Sequence, residues 1–366
     1  MKKYILILIK YIFNMFKIFP VKDNKIVLIS FYNKYCLDIK AIGNYIISNN
    51  HNEFNVFIGI IGKSNLSIDG IEKINIRNII GIYHLMTAKT IIYSINCPNY
   101  IPYRKKQILI NTWHGNGIKK LYKKLNSNYF KNTTCFTSYS KKYTEIKLKN
   151  SFNYYGEILP IGAPKNDIFF SKNKCEIIKN IKEKLGLTDK KIALYAPTFR
   201  NLFEETKDSL DFIRLKENLE KKFGNEWVVL YRVHPSLVDK YKTETNVIDV
   251  STYNDMQELL LISDILITDY SSSVWDFGLQ RKPILIYAPD IDEYQKNDRG
   301  FIIPINKWPY PIAKSDDELE NNINKFNIDD FRIKLDKYYE ESGSYEEGTA
   351  CKNLIKYILD KIKGEL

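Results

Sequence analysis

The chain has 366 residues and carries 55 lysine and arginine residues against 43 aspartate and glutamate residues, a net charge of +12. Single hydrophobic cores stop growing at roughly 250–300 residues, so two domains are expected. With 44% hydrophobic residues and no low-complexity bias, the composition excludes a disordered or collagen-like protein. The positive charge suits nucleic acids, anionic lipids or phosphorylated substrates and does not choose among them.

The cysteines are odd in number, widely separated and never arranged as C-x-x-C; they are Cys36, Cys97, Cys135, Cys175 and Cys351. This spacing predicts neither a disulfide framework nor a zinc site. A reducing cytoplasm is therefore the inferred compartment.

The first 20 residues are apolar and basic. Lys10 and Lys17 interrupt an apolar run that is too short to span a bilayer, and no small-residue cleavage site follows it. We interpret residues 1–20 as an amphipathic segment that lies on a membrane surface. The alternative is an N-terminal helix packed on the protein's own core.

After Pro20, short runs rich in Ile, Val and Tyr alternate with longer periodic segments, a pattern typical of βαβ units and a parallel sheet. The first series of predicted strands is Lys25–Ser30, Asn55–Ile60, Thr90–Ser94, Gln107–Thr112 and Cys135–Ser138. The second series is Lys191–Ala196, Trp227–Val233, Val247–Val250, Ile265–Asp269 and Pro283–Ala288. A turn-rich stretch at Ile161–Leu187 suggests a boundary between two doubly wound domains, residues 21–175 and 176–366. A final helix near Tyr345–Lys363 could pack back on the first domain.

Ligands of open α/β sheets bind outside the carboxyl ends of the strands. In the first half, the strand QILINT leads directly into Trp113-His114-Gly115-Asn116-Gly117, where the glycines leave the backbone open to a ligand. A histidine with a near-neutral pKa is the commonest general base, so His114 is a candidate catalytic residue. A lone histidine after a strand can also be structural.

Polar residues also follow three strands of the second half: Pro197-Thr198-Phe199-Arg200, Arg232-Val233-His234-Pro235 and Thr268-Asp269-Tyr270-Ser271-Ser272-Ser273. Arg232 and His234 lie two residues apart on a strand, so they share one face and can clamp a phosphate. The serines Ser271–Ser273 begin a helix, where they form an anion site or serve only as a cap. Arg299, in a later loop, could reach the same phosphates or belong to a surface turn.

Several of these strings resemble those of the CDP-glycerol glycerophosphotransferase family of teichoic acid synthesis. They are WHGNGIKKL, YAPTFR, RVHP and ELLLISDILITDYSSSVWDFGLQRKPILIYAPDIDEYQKNDRGF, and the resemblance extends from about Pro20 to the C-terminal helix. It implies a GT-B architecture, in which two Rossmann-like domains face a central cleft and the second holds most of the nucleotide. It also implies an enzyme at the cytoplasmic membrane face that transfers polyol phosphate from a CDP-polyol, such as CDP-glycerol, and releases CMP. The implied acceptor is a polyprenyl-linked molecule or a growing teichoic acid or capsule polymer.

The resemblance assigns roles to individual residues. His114 matches the histidine of the family's WHG motif and His234 that of its R-x-H-P motif, and both are implied to be catalytic. Ser271 and Ser272 match the TDYSS serines expected at the phosphates, and Arg299 matches the arginine of an RG turn.

The chain departs from the family pattern in the acceptor-side domain. Asn116 and Gly117 stand where the family usually has Thr-Pro, and the stretch Ser30–Asn33 lacks the family's glycine. Gly115, Asn116 and Gly117 form the predicted acceptor-side loop. The departures therefore affect the expected identity of the acceptor more than the expected donor chemistry.

The mechanism we expect is direct displacement at phosphorus, with His114 removing a proton from the acceptor hydroxyl. Arg200, Arg232, His234, Arg299 and Ser271–Ser273 would hold the donor and its phosphates. Glu258 is the candidate contact to the ribose, and neither a metal ion nor a cofactor is expected.

Three alternatives remain. A GT-B glycosyltransferase would use a sugar nucleotide in the same fold, and a catalytically idle protein would act as a membrane scaffold. A basic nucleic-acid-binding protein would suit the charge, but the chain has no RNP-like or helix-turn-helix signature, so no nucleic acid partner is expected.

Overall fold

The computed structural model describes residues 13–29, 33–62, 64–95, 101–115, 119–121, 129–198, 210–233, 246–298 and 300–364. The strands within these ranges form two sheets, one in each half of the chain, and neighbouring strands in both sheets run parallel. The predicted α/β class with two doubly wound sheets is therefore confirmed.

The first sheet contains seven described strands in the order β3-β2-β1-β4-β5-β6-β7. They are β1 (Lys22–Ile29), β2 (Asn55–Ile60), β3 (Glu72–Asn75), β4 (Ala88–Tyr93), β5 (Ile108–Asn111), β6 (Cys135–Thr137) and β7 (Glu157–Leu159). Successive residues of β1 point to opposite faces, because Ile26 and Leu28 join one core cluster whereas Val27 and Ile29 join another.

Helices cover both faces of this sheet. The described helices of the first half are α1 (Leu37–Ser48), α2 (Ile79–Thr87) and the single turn α3 (Lys141–Tyr143). Helix α1 supplies Ile39 and Ile42 to one core cluster, and α2 supplies Leu85 to the other. The last helix, α11 (Ala350–Lys363), returns to the first sheet and packs beside α1.

The second sheet contains six described strands in the order β10-β9-β8-β11-β12-β13. They are β8 (Lys191–Tyr195), β9 (Trp227–Tyr231), β10 (Ile248–Asp249), β11 (Ile265–Thr268), β12 (Ile284–Tyr287) and β13 (Ile312–Ala313). The helices described in this half are α4 (Lys174–Lys184), α5 (Phe212–Phe223), α6 (Met256–Ile262), α7 (Ser273–Phe277), α8 (Ile291–Glu293), α9 (Asp316–Lys325) and α10 (Ile328–Ser342). This is the Rossmann order 3-2-1-4-5-6, which reverses between β8 and β11 and opens a ligand crevice there.

A buried hub of polar side chains joins the two halves at the segment that connects them. The Lys165 ammonium lies 2.5 Å from the Asp276 carboxylate on α7, and the Lys165 backbone N–H donates to the Asp38 carboxylate on α1 at 3.0 Å. Asn166 donates to Asp276 at 3.2 Å and accepts from Gln257 at 2.7 Å. These five residues, the buried hub, are each less than 5% exposed. The boundary predicted between residues 175 and 176 stays a prediction.

The buried hub makes stability depend on pH. Asp38 has no exposed surface, and burial raises the pKa of its carboxyl group from 3.8 to about 7, although Lys165 opposes the shift. Between about pH 4 and 7 the folded state keeps a proton on Asp38 that the unfolded chain releases. The free energy of unfolding therefore falls as pH rises through that range.

The Asp38→Asn variant has no ionisable group at this position. We therefore expect its melting temperature to rise relative to that of the wild type as pH increases from 5 to 8. Thermal unfolding across this range measures the difference, and Asp69→Asn at an exposed site serves as the control. A difference between Asp38→Asn and the wild type that stays constant with pH would contradict the assignment.

Candidate active site

The first wall of the site is the turn that follows β5. Trp113 has a positive φ of 56°, a left-handed backbone conformation that is costly for a bulky residue. Its backbone N–H donates to the Asn111 side chain at 2.8 Å, which holds the turn. This turn presents His114 as an exposed side chain beside the cleft.

The His114 ring is oriented by its neighbours. Nδ1 lies 3.4 Å from the Ser94 carbonyl oxygen, and the ring packs on Trp113 with centroids 4.4 Å apart. A hydrogen on Nδ1 can point to that carbonyl, and in this tautomer Nε2 is the ring nitrogen that carries the lone pair and can accept a proton. The arrangement therefore suits a general base.

The two halves meet closely at Gly115. A Cβ atom at this position would lie 2.5 Å from the Ser272 hydroxyl oxygen, so a larger residue would displace that hydroxyl group. This close approach brings the His114 turn beside the serine loop of the second half.

The serine loop follows β11 and is fixed by Asp269. The Asp269 carboxylate accepts the Thr198 backbone N–H at 3.0 Å and the Thr198 hydroxyl at 2.5 Å, so it ties the loop after β8 to the loop after β11. Within the loop, Ser273 donates from its backbone N–H to the Ser271 hydroxyl oxygen at 3.2 Å. The loop is thus held in place by hydrogen bonds within the protein.

Arg232 follows β9 and supplies the positive charge of the second wall. Only 9% of the residue is exposed, and its Nη1 atom has no hydrogen-bond partner among the described residues. Burial lowers the pKa of Arg232, an effect that Asp255 opposes, but a guanidinium stays charged at neutral pH. Because buried donors are normally paired, this guanidinium is suited to bind an anion.

One cavity of about 200 Å³ collects these groups. His114, Arg232 and Ser271–Ser273 all line it, so the structure brings these predicted site residues together. Its wall also contains six residues with polar or thiol side chains that were not predicted: Lys34, Cys36, Lys165, Asn254, Gln257 and Asp276. The cavity thus lies between the halves, at the carboxyl ends of strands from both sheets.

Glu258 does not line this cavity. Its carboxylate accepts hydrogen bonds from the Lys40 ammonium at 2.5 Å and from the Tyr253 hydroxyl at 2.6 Å. Lys40 also pairs with Asp255 at 2.8 Å, so Glu258 takes part in an ion-pair cluster between α1 and α6. The predicted ribose contact would require the Glu258 carboxylate to exchange these partners.

The other predicted site residues, Arg200, His234, Arg299, Asn116 and Gly117, lie outside the described residues. Among the residues that are described, no group of three or more His, Cys, Asp or Glu side chains is placed to hold a metal ion.

The unpredicted wall residue Lys165 belongs to the string GAPKND, which lies in the predicted boundary stretch Ile161–Leu187. This string follows β7 at the carboxyl end of a strand. Lys165 lies six residues after Leu159, the last residue of β7, so a search for polar residues near the carboxyl ends of strands finds it only if β7 itself is predicted. Asp276 is another of the unpredicted wall residues. It lies four residues after Ser272 and is therefore on the same side of the short helix α7.

Comparison with known proteins gives a consistent result. The family model described as CDP-Glycerol:Poly(glycerophosphate) glycerophosphotransferase matches residues 11–360. A teichoic acid poly(glycerol phosphate) polymerase of Bacillus spizizenii is 29% identical over 95% of this chain and 95% of its own length. A teichoic acid glycerol-phosphate primase of Bacillus subtilis is 29% identical over 78% of this chain and 77% of its own.

A solved structure supports the same relationship. The wall teichoic acid polymerase TagF, as an H444N variant soaked with CDPG, superposes with a TM-score of 0.82 at 27% identity and covers 100% of this chain and 96% of that one. The predicted GT-B type of fold is consistent with this match.

The close approach at Gly115 can be tested by Gly115→Ala. The added methyl group should displace the Ser272 hydroxyl and weaken binding of inorganic pyrophosphate, a probe of the cavity, by roughly tenfold, the value of one charge-assisted hydrogen bond. Isothermal titration measures the affinity. Ser272→Ala provides the matched comparison: adding Gly115→Ala to it should have less effect than in the wild type, and fully additive effects would argue against the contact.

Proposed function

The chain belongs to the CDP-glycerol:poly(glycerophosphate) glycerophosphotransferase family, and on this premise we propose that it transfers glycerol phosphate from CDP-glycerol to a hydroxyl group of a growing teichoic acid polymer, releasing CMP. The observation that carries the proposal is the shared cavity. An exposed imidazole, His114, faces it from the first half, and a buried guanidinium with an unpartnered Nη1, Arg232, faces it from the second.

In the proposed reaction, Nε2 of His114 takes the proton of the acceptor hydroxyl. The acceptor oxygen forms a bond to the β-phosphorus of CDP-glycerol, and the bond from that phosphorus to the bridging oxygen breaks. CMP leaves with that oxygen, and the products are CMP and an acceptor extended by one glycerol phosphate. Positioning and charge stabilisation dominate such transfers.

The groups proposed to hold the donor phosphates are Arg232 and the hydroxyl groups of Ser271–Ser273. The hydrogen bonds of Asp269 and Ser271 fix the serine loop before a ligand arrives, so little reorganisation is needed on binding. His234, Arg200 and Arg299 keep their proposed roles from the family motifs.

We expect purified protein to release CMP from CDP-glycerol when a primed polymer is present, and His114→Ala to lower the rate by about 10²-fold or more. Donor affinity should change little, because the donor phosphates are bound by the other half. His51→Ala, at an imidazole that pairs with Glu53 outside the cavity, is the control.

Parallel reactions with CDP-ribitol and a UDP-sugar test the donor, and an unprimed lipid-linked acceptor distinguishes initiation from extension. Turnover of the UDP-sugar alone would replace the proposed chemistry by glycosyl transfer. A normal rate for His114→Ala would remove His114 from the reaction.

We also propose that the protein lies on an anionic membrane, where a polyprenyl-linked acceptor would be found. No helix in the described part of the chain is long and apolar enough to cross a bilayer. Support comes from an apolar face formed by Met15, Ile18, Phe19, Ile79 and Ile80, whose exposed fractions run from 40% to 79%. Residues 1–12 of the predicted amphipathic segment lie outside the described residues.

The parts of this apolar face are held together. Arg104 donates to the carbonyl oxygens of Phe16 and Phe19, both at 2.7 Å, and Phe19 packs edge-on against Tyr83 of α2 with centroids 5.3 Å apart. Tyr83 lies one helical turn after Ile79, so the two segments present one surface. The exposed Lys17 nearby would favour anionic lipid.

Replacing Ile18, Ile79 and Ile80 by Ser should weaken binding to anionic vesicles by about tenfold or more, because each side chain loses apolar area buried in the lipid. Cosedimentation with vesicles measures the binding. Ile213→Ser with Ile333→Ser, at sites 54% and 68% exposed elsewhere on the surface, is the matched control. Equal loss in both sets would show that the apolar face has no special role.

A further inference from the structure

Asp276 poses an electrostatic problem for the proposed donor site. It is 3% exposed, lines the same cavity as Arg232, and lies one helical turn from Ser272. A carboxylate this close to a bound diphosphate would repel it, because charges separated by a few ångströms of protein are poorly screened.

Lys165 is placed to cancel that charge. Its ammonium lies 2.5 Å from the Asp276 carboxylate, and the residue is 4% exposed and lines the same cavity. The second carboxylate oxygen of Asp276 accepts from Asn166 at 3.2 Å, so the pair is held in a fixed geometry. The ion pair therefore forms part of the cavity wall with no net charge.

We propose that Lys165 is a positioning residue that sets the charge of the cavity wall, since its ammonium neutralises Asp276 and so permits a nucleotide diphosphate to bind. This rests on the proposed function for the identity of the ligand. The proposed role of Lys165 differs from a direct contact, in which its ammonium would itself bind the phosphates.

Other titratable groups surround the pair. Asp38 faces it from α1, and Glu346, whose carboxyl group accepts from Asn166 at 2.9 Å, faces it from the segment before α11. Burial raises the pKa of Glu346 to about 8 and that of Asp38 to about 7, so both carboxyl groups become more negative between pH 6 and 9. The buried Tyr139 and Tyr339 beside them stay neutral in this range because burial raises the pKa of each phenol.

The test compares Lys165→Met, Asp276→Asn and the double variant with the wild type. Titration calorimetry measures the affinity for CDP-glycerol, whose phosphodiester groups do not titrate between pH 5 and 9. It also measures the affinity for inorganic pyrophosphate at pH 8, a probe that does not depend on the proposed donor. Circular dichroism and melting temperature establish that each variant is folded.

We expect Lys165→Met to weaken binding on the order of tenfold at pH 8, because the Asp276 carboxylate then faces the bound phosphates without its ammonium partner. The double variant, measured at the same pH, should recover most of the wild-type affinity. Replacing both members of a buried ion pair is often tolerated, so the double variant keeps the test decisive even where Lys165→Met does not fold.

A double variant that is folded but binds both ligands as weakly as Lys165→Met, or far more weakly than the wild type, would overturn the proposal in favour of a direct contact. If the wild-type protein binds pyrophosphate but not CDP-glycerol, the proposed donor is rejected. The role of Lys165 is then decided by the pyrophosphate affinities of the variants alone. Wild-type protein that binds neither would reject both.

Discussion

The buried ion pair between Lys165 and Asp276 is the constraint on which the geometry of the cleft depends. Removing two charges from water costs several kcal/mol for each ion, so such a pair persists only when its geometry is good and its remaining polar atoms are hydrogen-bonded. Here Asn166 donates to the second carboxylate oxygen of Asp276, and the Asp38 carboxylate holds the backbone of Lys165 by accepting its N–H. Because the pair's neighbours come from both halves of the chain, these bonds also fix how the two sheets face each other.

That fixed relation makes a shared active site possible. Each parallel sheet places its loops at one end, and the cleft brings the loop ends of the two sheets together. Two local features of the turn after β5 complete the site. Trp113 adopts an unfavourable backbone conformation, and Gly115 permits near contact with Ser272. In the part of the wall that the structure describes, hydrogen bonds within the protein hold the loops of both halves, which favours the alignment that transfer at phosphorus requires.

The central strands could be predicted from the sequence because they are buried on both faces and therefore read as continuous apolar runs. Of the four edge strands, β10 was predicted, as Val247–Val250, whereas β3, β7 and β13 were not. Glu72–Asn75 has two exposed charged residues in four, and Ile312–Ala313 is only two residues long, so neither leaves a periodic apolar signal. Edge strands are short and polar for a physical reason, since an apolar edge would invite aggregation.

The residues of the candidate site also divide into those that could be predicted from the sequence and those that could not. Residues that directly follow central strands, such as His114 and Arg232, could be predicted, because sheet topology alone brings them to the cleft. Lys165 and Asp276 are separated by 111 residues, and no local pattern reveals their ion pair. Glu258 is the converse case, an acidic residue near the donor loops whose carboxylate pairs with Lys40 from the other half. Lys165 and Asp276 both line the cavity and join the two halves of the chain, so a substitution that changes the charge of the cavity wall also changes a contact between the halves.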